Sequence, residues 1–583
     1  MKMMTKSRRA INRRAVLATL IVACALAAIR PARAQVAPPS YAWPLQADPV
    51  VTSVIFDKRN GHPHGGLDIS LFGRVGTIPV VAIADGWLRR VRVSKYGYGY
   101  GLYVMHDDGR VSVYAHLDRF SDRIEAVADE LRRKTGRENI DYYFEDWENH
   151  VKIRRGEVIA YGGKTGTRTP HLHFELRAND SDPVNPLTNG LGVPDSEPPR
   201  IDAIALVPAD EWASADGAIT PVVVSRAAPP EAPVRVSGRV GVAVDASDRH
   251  TRGGREFAPY RLTWSAGGAV RFETRFERFS YEEPSVERTH VDVIGKGRFY
   301  RVYNPYPAKL PHFSAPDAGT LADLPPGVHE IRVEVFDAAG NSDAWSVPVE
   351  VIANPDASRR PWPRGSGGAV LDHHGAVATA DGRVTLRADA KSLYEPIRVT
   401  LDDIGRAHAA AADGCVSVRA PDVQLRRPLR VVWSLADVDE DAERLAIARV
   451  SGRGVKFLGR AHDPFADTLE GEVDEADGDI CLLRDTAPPR IEAIAARAGV
   501  KRKRRSTPPT PPGVRLTDAI CGVEWETARV EVDGKLAVMD VHEKAGEAFF
   551  AARNAISDGE HAVRASAEDR CGNAISADWR ATF

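Results

Sequence analysis

Alternation of hydrophobic and polar residues is the main pattern along this chain. In one clear stretch Ile331, Val333 and Val335 alternate with Arg332 and Glu334, which is the period of a strand with one buried face. The chain also has 48 Gly and 40 Pro, residues that mark frequent turns between short strands. The pattern therefore predicts a mainly β protein.

One segment has helical periodicity instead. Its apolar residues recur at spacings of four, three and four, which places them on one face of a helix. They are Phe120, Ile124, Val127 and Leu131. Asp122 and Glu125 stand where they would cap the start of this helix. An aromatic cluster follows, consisting of Tyr142, Tyr143, Phe144 and Trp147.

Two parts of the chain repeat each other. The stretch that begins at Asp195 (Asp-x-x-Pro-Pro-Arg-Ile) recurs at Asp485, and Gly327 to Asn341 matches Gly559 to Asn573 in register. Such self-similarity predicts repeated domains, here residues 196–353 and 485–583. The second stretch ends in Asp-x-x-Gly-Asn and resembles the penultimate strand of bacterial immunoglobulin-like domains, which implies β-sandwiches.

Residues 366–483 lie between the repeats and form a β-rich domain of unassigned topology. In the repeats, Asp337 and Asp569 are either turn-forming residues or calcium ligands. Acidic residues at such positions usually shape the turn, which favours the first alternative.

The N-terminus has the pattern of an export signal. A basic stretch precedes the apolar run Ala15–Ile29, and Ala32-Arg33-Ala34 supplies a small-x-small cleavage site. The run is shorter than the roughly 20 residues that span a bilayer, so residues 1–34 are predicted to be a cleaved signal peptide. The sequence around Cys24 resembles a lipobox, which leaves a lipid anchor at Cys24 as the alternative, and Asn12–Leu17 loosely resembles a twin-arginine signal.

Charge and cysteine content fit an exported protein. The net charge is −2, and residues 1–34 contribute eight Lys/Arg and no acid, so without them it is −10. This balance excludes a nucleic-acid-binding surface, and no later run of 18 apolar residues predicts a membrane span. Four cysteines remain after Cys24, and an even number indicates disulfides. Of the three connectivities, Cys415–Cys481 with Cys521–Cys571 keeps each bond within one predicted domain.

Three short stretches contain histidines at informative spacings. They are GHPHGGLDIS with His64 and Asp68, VSVYAHL with Tyr114 and His116, and TPHLHFEL with His171 and His173. In a strand, residues i and i+2 face the same side, so His171 and His173 would present both imidazoles to one cavity. Imidazole nitrogens and a carboxylate are suitable zinc ligands, and a catalytic zinc site keeps one position open.

In this order, the three stretches resemble the motifs of LytM/lysostaphin-type zinc metallopeptidases, which cleave peptide bonds in bacterial peptidoglycan. The segments Pro79–Gly86 and Gly156–Ala160 between the motifs agree as well. The resemblance implies an antiparallel β peptidase domain over residues 35–195, with one zinc ion per chain. The implied zinc ligands are His64, Asp68 and His173.

The same resemblance implies roles for three further residues. His171 and His116 correspond to the catalytic histidines that position water and stabilise the oxyanion. Tyr114 occupies the position of the family's tyrosine and is expected to support the substrate or the oxyanion.

The chain departs from the family at two places. Phe56 is followed by Asp57, where the family usually has glycine, and the helix and aromatic cluster at residues 120–147 lengthen the interval between the second and third motifs. The insertion is either a lid or wall of the substrate groove, or a helix that its aromatic residues dock on the domain. Clustered aromatic residues usually bury area, which favours docking.

The expected protein is an exported zinc endopeptidase whose substrate is the peptide part of peptidoglycan, in the periplasm or cell envelope or secreted. Its β-domains would serve as spacers, dock to the envelope or restrain access to the groove. Three alternatives stay open. The peptidase domain is a catalytically silent regulator of another wall hydrolase, or it cleaves exported protein, or the β-domains are the main unit as an adhesive or binding module.

Overall fold

The computed structural model describes most of the chain. The described residues are 41–57, 63–145, 151–251, 254–283, 287–313, 318–354, 367–420, 423–452, 454–497, 500–501, 506–507 and 510–583. The predicted signal peptide with Cys24, and Trp147 of the aromatic cluster, lie outside them. About 50% of the chain is strand and 5% helix, which confirms the mainly β prediction.

Residues 41–195, called the first region below, form one sheet of eleven strands and one helix of 14 residues. Seven strands follow the order β1-β2-β10-β6-β5-β4-β7. Of the other four, β11 pairs with β10, β8 with β4, and β9 with both β6 and β3. The elements are β1 Val51–Ser53, β2 Leu67–Ser70, β3 Pro79–Val81, β4 Gly86–Val93, β5 Tyr100–His106, β6 Val111–Phe120, α1 Asp122–Thr135, β7 Ile140–Tyr143, β8 Lys152–Ile153, β9 Val158–Gly162, β10 His171–Arg177 and β11 Pro183–Val184.

The second region, residues 196–354, contains two sheets with the orders β14-β12-β16-β20-β19 and β13-β15-β22-β21-β17-β18. Its elements are β12 Arg200–Pro208, β13 Ser214–Ala215, β14 Val222–Ser225, β15 Val234–Ser237, β16 Val240–Ser247, β17 Arg261–Ala266, β18 Ala269–Arg275, α2 Glu287–His290, β19 Val291–Ile294, β20 Gly297–Arg301, a 3₁₀ turn Leu321–Asp323, β21 Gly327–Phe336 and β22 Ser342–Ile352. Ile331, Val333 and Val335 of β21 are fully buried, as the alternation predicts.

The third region, residues 367–484, also has two sheets, β23-β26-β27-β33-β29-β30 and β24-β25-β28-β32-β31. Its elements are β23 Ala369–Leu371, β24 Ala376–Ala378, β25 Val384–Arg387, β26 Ile397–Gly405, β27 Ala411–Arg419, β28 Leu429–Ser434, a 3₁₀ turn Ala442–Arg444, β29 Leu445–Ser451, β30 Gly454–Gly459, β31 Ala461–Asp463, β32 Thr468–Val473 and β33 Gly478–Arg484.

The fourth region, residues 485–583, has the sheets β34-β37-β41-β40, β35-β36 and β39-β38-β42-β43. Its elements are β34 Arg490–Ile494, β35 Val500–Lys501, β36 Ser506–Thr507, β37 Gly513–Thr517, β38 Val523–Val532, β39 Lys535–Leu536, β40 Met539–His542, a 3₁₀ turn Glu543–Ala545, β41 Glu547–Phe550, β42 Glu560–Asp569 and β43 Ala574–Thr582. The disulfides Cys415–Cys481 and Cys521–Cys571 are both present, which confirms the predicted pairing.

The two repeated segments adopt the same local structure. The Asn341 side chain donates to the Asp337 carboxylate (2.7 Å) and to the main-chain oxygen of Asp195 (3.3 Å). Asn573 repeats this with Asp569 (2.8 Å) and the main-chain oxygen of Asp485 (3.3 Å). In each copy one asparagine thus ties the turn to the start of the region. The immunoglobulin-like type of these regions stays a prediction.

Helix α1 contains three of the four residues of the predicted face, Ile124, Val127 and Leu131, whereas Phe120 ends strand β6 instead. Val127 is only partly buried. Ile124 and Ala128 are fully buried and Leu131 is 7% exposed. The expected cap is wrong in its details, because the residue at the N-cap is Ser121, whose side chain makes no capping bond. Glu125 instead accepts a hydrogen bond from Arg132 (2.6 Å). Arg132 is buried, and a buried charge without a partner is costly, so Glu125 pairs with Arg132 rather than capping the helix.

One hydrophobic core runs through the first and second regions, whereas the third and fourth have main cores of their own. At the join, Phe56 stacks on Phe276 with ring centroids 4.8 Å apart and meets the edge of Phe279 at 5.2 Å. No helix of the described residues is long and apolar enough to cross a membrane.

Candidate metal centre

The strand register brings the three histidine stretches together. Strand β2 pairs antiparallel with β10 so that Asp68 lies opposite His173, and β10 pairs on its other side with β6, where Ala115 lies opposite His173. His116 follows directly after Ala115. Three segments that are distant in sequence therefore meet on neighbouring strands.

Three potential ligand atoms converge at one point. His64 Nε2 lies 2.9 Å from Asp68 Oδ1 and 2.9 Å from His173 Nδ1, and the latter two atoms are 3.0 Å apart. The three residues are 3%, 6% and 7% exposed. They form a triangle of nitrogen, nitrogen and oxygen donors, as a metal ion with an open coordination position requires.

The outer nitrogens of the two imidazoles are held by other groups. His64 Nδ1 lies 2.7 Å from the Val54 carbonyl oxygen and 3.1 Å from Ser53 Oγ. His173 Nε2 lies 2.8 Å from Glu175 Oε1. When each outer nitrogen carries the N–H, both inner nitrogens turn a lone pair towards the point that they share with Asp68 Oδ1. Such outer hydrogen bonds are what fix the orientation of metal-binding histidines.

The electrostatics of the centre favour a positive charge. Burial opposes ionisation of Asp68, but the charges and hydrogen bonds of His64 and His173 outweigh it and hold its pKa well below the ordinary value. Burial alone would lower the pKa of His173, but hydrogen bonds to Asp68 and Glu175 raise it to about 9. The point between His64, Asp68 and His173 therefore suits a positive charge, which is either the proton on His173 or a metal cation. The three donor groups fit a metal cation.

Glu175 is the anion on the far side of His173. It is fully buried, and Arg177 Nε donates to its Oε2 at 2.7 Å. The hydroxyls of Tyr98 and Tyr281 donate to Oε1 at 2.5 and 2.8 Å. Burial would raise the pKa of this carboxyl, but Arg177 and the hydrogen bonds lower it far below its ordinary value. Glu175 is thus a carboxylate that accepts the outer N–H of His173.

The two other histidines lie beside the triangle. His171 Nε2 is 3.4 Å from Asp68 Oδ1, and the rings of His171 and His116 have centroids 4.7 Å apart. The Nδ1 atom of His171 lies 2.8 Å from the Thr169 oxygen, and that of His116 lies 2.9 Å from the Thr165 oxygen. Each Nδ1–H is used by a carbonyl, which leaves Nε2 available to accept a proton.

Burial disfavours the protonated form of both of these histidines. Burial, together with the neighbouring His173 and His171, lowers the pKa of His116 to about 3, and burial also lowers the pKa of His171. His116 further has a positive φ of 59°, a conformation uncommon for residues other than glycine that is often found at functional sites. The arrangement provides two proton acceptors next to a cation position.

Tyr114 does not lie where the sequence predicts. It is fully buried, its ring packs against Phe174, and its hydroxyl accepts the N–H of Ile83 at 3.0 Å and bonds Ser112 at 3.0 Å. Its oxygen is therefore occupied inside the core, and we assign Tyr114 to the packing of the sheet rather than to the substrate.

Several residues around the centre were not identified from the sequence. Glu175 follows His173 by two residues, so strand alternation could have placed it on the same face. Asp57, at the departure from the family pattern, accepts a hydrogen bond from Ser53 (2.6 Å), which itself contacts His64. Tyr281 lies in the second region, and no motif or periodicity in the sequence predicts its position beside Glu175.

Comparison with known proteins finds relatives that match part of this chain. No protein-family profile matches it. It is 34% identical over 133 residues to a DD-carboxypeptidase/endopeptidase Mpg of Neisseria meningitidis (23% of this chain and 24% of the relative). It is 32% identical over 154 residues to an uncharacterized metalloprotease of Haemophilus influenzae (25% and 26%), and 27% identical over 148 residues to the murein hydrolase activator NlpD of Escherichia coli (25% and 30%).

Two solved structures overlap with part of the chain. A zinc-containing peptidase from Vibrio cholerae matches with 26% identity and a TM-score of 0.19, over 27% of this chain and 41% of that chain. The catalytic domain of the M23 protein EnpA from Enterococcus faecalis matches with 23% identity and a TM-score of 0.17, over 24% and 85%. The chain spans only about a quarter to a third of the length of the curated relatives above.

Proposed function

Because this chain is related to the LytM/M23-type peptidases, we propose that it is an exported zinc endopeptidase that hydrolyses peptide bonds of bacterial peptidoglycan. The observation that carries the proposal is the convergence of His64 Nε2, His173 Nδ1 and Asp68 Oδ1 within 3.0 Å of one another, with two neutral histidines beside them.

His64, Asp68 and His173 would hold one zinc ion per chain. Zinc accepts imidazole and carboxylate ligands and leaves a fourth position open in catalytic sites. When bound, it lowers the pKa of a coordinated water and polarises a carbonyl group. Hydrogen bonds to Val54, Ser53 and Glu175 keep both imidazoles turned towards this point.

His171 and His116 would move the proton. Each holds its Nδ1–H against a backbone carbonyl and is neutral at neutral pH, so Nε2 can accept a proton from the attacking water. The same nitrogen can return the proton to the leaving amine. We assign the general base to His171, whose Nε2 lies 3.4 Å from Asp68 Oδ1. His116 would be a second proton acceptor rather than the oxyanion donor that the resemblance implies, because its N–H is held by the Thr165 oxygen and its Nε2 carries only a lone pair.

The relatives support the wall as the site of action. One is named for carboxypeptidase and endopeptidase activity and another as a murein hydrolase activator. We therefore propose the peptide part of peptidoglycan as the substrate and the periplasm or cell envelope as the location.

The similarity to NlpD supports one other candidate function, that of a catalytically silent regulator of another cell-wall hydrolase. That class typically lacks part of the zinc ligand set, whereas this chain has both histidines and the aspartate in place. The complete set favours the enzyme.

Digestion of peptidoglycan distinguishes these functions. The full chain without residues 1–34 would be incubated with purified peptidoglycan, with and without a chelator, and released muropeptides identified by mass. We expect chelator-sensitive release that Asp68→Asn lacks. If the zinc-loaded, folded wild type releases nothing, the assignment as a peptidoglycan hydrolase is wrong, and stimulation of an added cell-wall hydrolase would then establish the regulator.

A further inference from the structure

Tyr281 connects the second region to the metal centre. It lies in the segment that follows β18, and its hydroxyl donates to Glu175 Oε1 at 2.8 Å and lies 3.0 Å from the Tyr98 hydroxyl. Glu175 in turn accepts the outer N–H of His173. A residue outside the peptidase-like segment is therefore two hydrogen bonds away from a proposed zinc ligand.

The position of Tyr281 is fixed by several contacts. Its N–H donates to the Ser181 oxygen at 2.9 Å, and the Arg177 guanidinium lies 4.9 Å from the centre of its ring. Gly65 makes room for it, because a β-carbon at Gly65 would lie 1.9 Å from the Tyr281 hydroxyl oxygen. The glycine after His64 thus admits a side chain from the second region.

The packing around this segment is part of the shared core. Phe276 and Phe279, just before Tyr281, both contact Phe56 of the first region. Because this join is apolar and buried, Tyr281 is held against Glu175 rather than resting on a mobile surface.

Glu175 depends on these donors to stay in place. Its Oε1 is shared by His173, Tyr98 and Tyr281, and its Oε2 by Arg177. Groups in this outer position set the orientation of a metal-binding histidine, and their loss typically weakens metal affinity by about 10–100-fold.

We propose that Tyr281 is a positioning residue of the metal centre, so that the first and second regions together form one metal-binding unit. This inference rests on the proposed function, because it assumes that His64, Asp68 and His173 bind zinc. It adds that the peptidase-like segment alone lacks part of the shell that holds His173.

The test compares two tyrosine variants of the full chain without residues 1–34. Tyr281→Phe removes the hydroxyl and keeps the ring. The matched control is Tyr260→Phe, because Tyr260 also belongs to the second region and donates to a glutamate, Glu277, at 2.8 Å. Zinc dissociation constants would be measured by competition with a chromophoric chelator, and the absorption spectrum of bound cobalt would report the ligand geometry.

We expect Tyr281→Phe to bind zinc about 10-fold more weakly than wild type and to alter the cobalt spectrum, while Tyr260→Phe changes neither. The melting temperatures of the metal-free proteins show that both variants are folded. A zinc affinity of Tyr281→Phe equal to or above that of wild type would overturn the inference, as would an equal loss in both variants.

This readout separates the inference from the proposed function. If wild type binds zinc and Tyr281→Phe binds it more weakly, but neither cleaves peptidoglycan, the positioning role stands and the enzyme assignment fails. If wild type cleaves peptidoglycan and both variants bind zinc as it does, the enzyme assignment stands and the positioning role fails.

Discussion

At the scale of single residues, His171 and His173 lie two positions apart on one strand but differ in what their ring nitrogens contact. Both lie on one face of β10, but His173 is 7% exposed and its two nitrogens are bonded, whereas the Nε2 atom of His171 is free to take up a proton. We therefore expect the His171 and His173 substitutions to impair different functions of the protein.

His171→Ala should retain zinc but lose turnover by about 10²–10⁴-fold, the usual contribution of a general base. His173→Ala is the matched control and should lose zinc itself. Metal content and muropeptide release, measured on the same samples, check this. Loss of zinc from His171→Ala with zinc retained in His173→Ala would exchange the two roles.

Asp248 is a second residue with a testable environment. It is 4% exposed, and its Oδ1 has no hydrogen-bond partner within the described ranges. Burial, with the charges of Asp337 and Asp195, raises its pKa to about 7 from an ordinary 3.8. The folded protein then binds this proton more tightly than the unfolded chain, so stability falls as the pH rises from about 4 to about 7.

Asp248→Asn removes the carboxyl that titrates, so the free energy of unfolding should no longer fall as the pH rises. At pH 8 the variant should be more stable than wild type by up to about 4 kcal/mol. Unfolding free energies at pH 5 and pH 8 check this, with the gain confined to the higher pH. If calcium stabilises the wild type and not the variant, the calcium-ligand alternative for Asp337 applies instead.

The proposed ligands His64, Asp68 and His173 could be named from the sequence because the three motifs resemble those of a known family. Strand alternation by itself predicts only that His171 and His173 share a face. The expected role of Tyr114 also came from the resemblance, and a motif does not report that the Tyr114 hydroxyl is bonded to Ile83 and Ser112 inside the core. The sequence did not predict Tyr281, because a contact between residues 175 and 281 leaves no trace in local periodicity.

At the scale of elements, the inserted helix contacts the fourth region, which its amphipathic pattern does not predict. The Arg553 guanidinium of the fourth region binds Glu138 and Asp129, at 2.8 and 2.7 Å. Lys95 binds Asp540, and Met539 N–H donates to the Gly136 oxygen. The insertion therefore docks the fourth region on the first. Tyr142 and Phe144 pack on the core as the docking interpretation expects, whereas Tyr143 is 38% exposed.

Arg553→Ala should loosen this contact at a cost of about 1 kcal/mol, since the arginine is one-third exposed and its ion pairs are partly screened. Hydrogen exchange should become faster in α1 and β40. Arg580→Ala is the control, because Arg580 pairs with Glu560 inside the fourth region. Equal exchange in both variants would show that Arg553 does not hold the regions together.

At the scale of the whole molecule, the cores divide the chain differently from the sequence. The repeat predicts a domain boundary near residue 195, yet one core passes through it. Apolar contacts across a boundary, such as those of Phe56 with Phe276, depend on tertiary packing that alternation cannot specify.

Reduction of the disulfides should affect only the later regions. The bonds close loops of 66 and 50 residues, and each should contribute about 4 kcal/mol. In calorimetry, a reductant should lower the unfolding temperature of the third and fourth regions and leave zinc affinity unchanged. A loss of zinc binding on reduction would contradict the independence of the first core.

The central claim is that one zinc ion, held by His64, Asp68 and His173, is needed for peptide-bond hydrolysis. The most direct measurement is a titration of metal-free protein with zinc while muropeptide release from peptidoglycan is followed. We predict that release rises in proportion to added zinc and saturates at one equivalent per chain, and that Asp68→Asn shows no rise. Release by the metal-free protein that zinc does not change would contradict the claim.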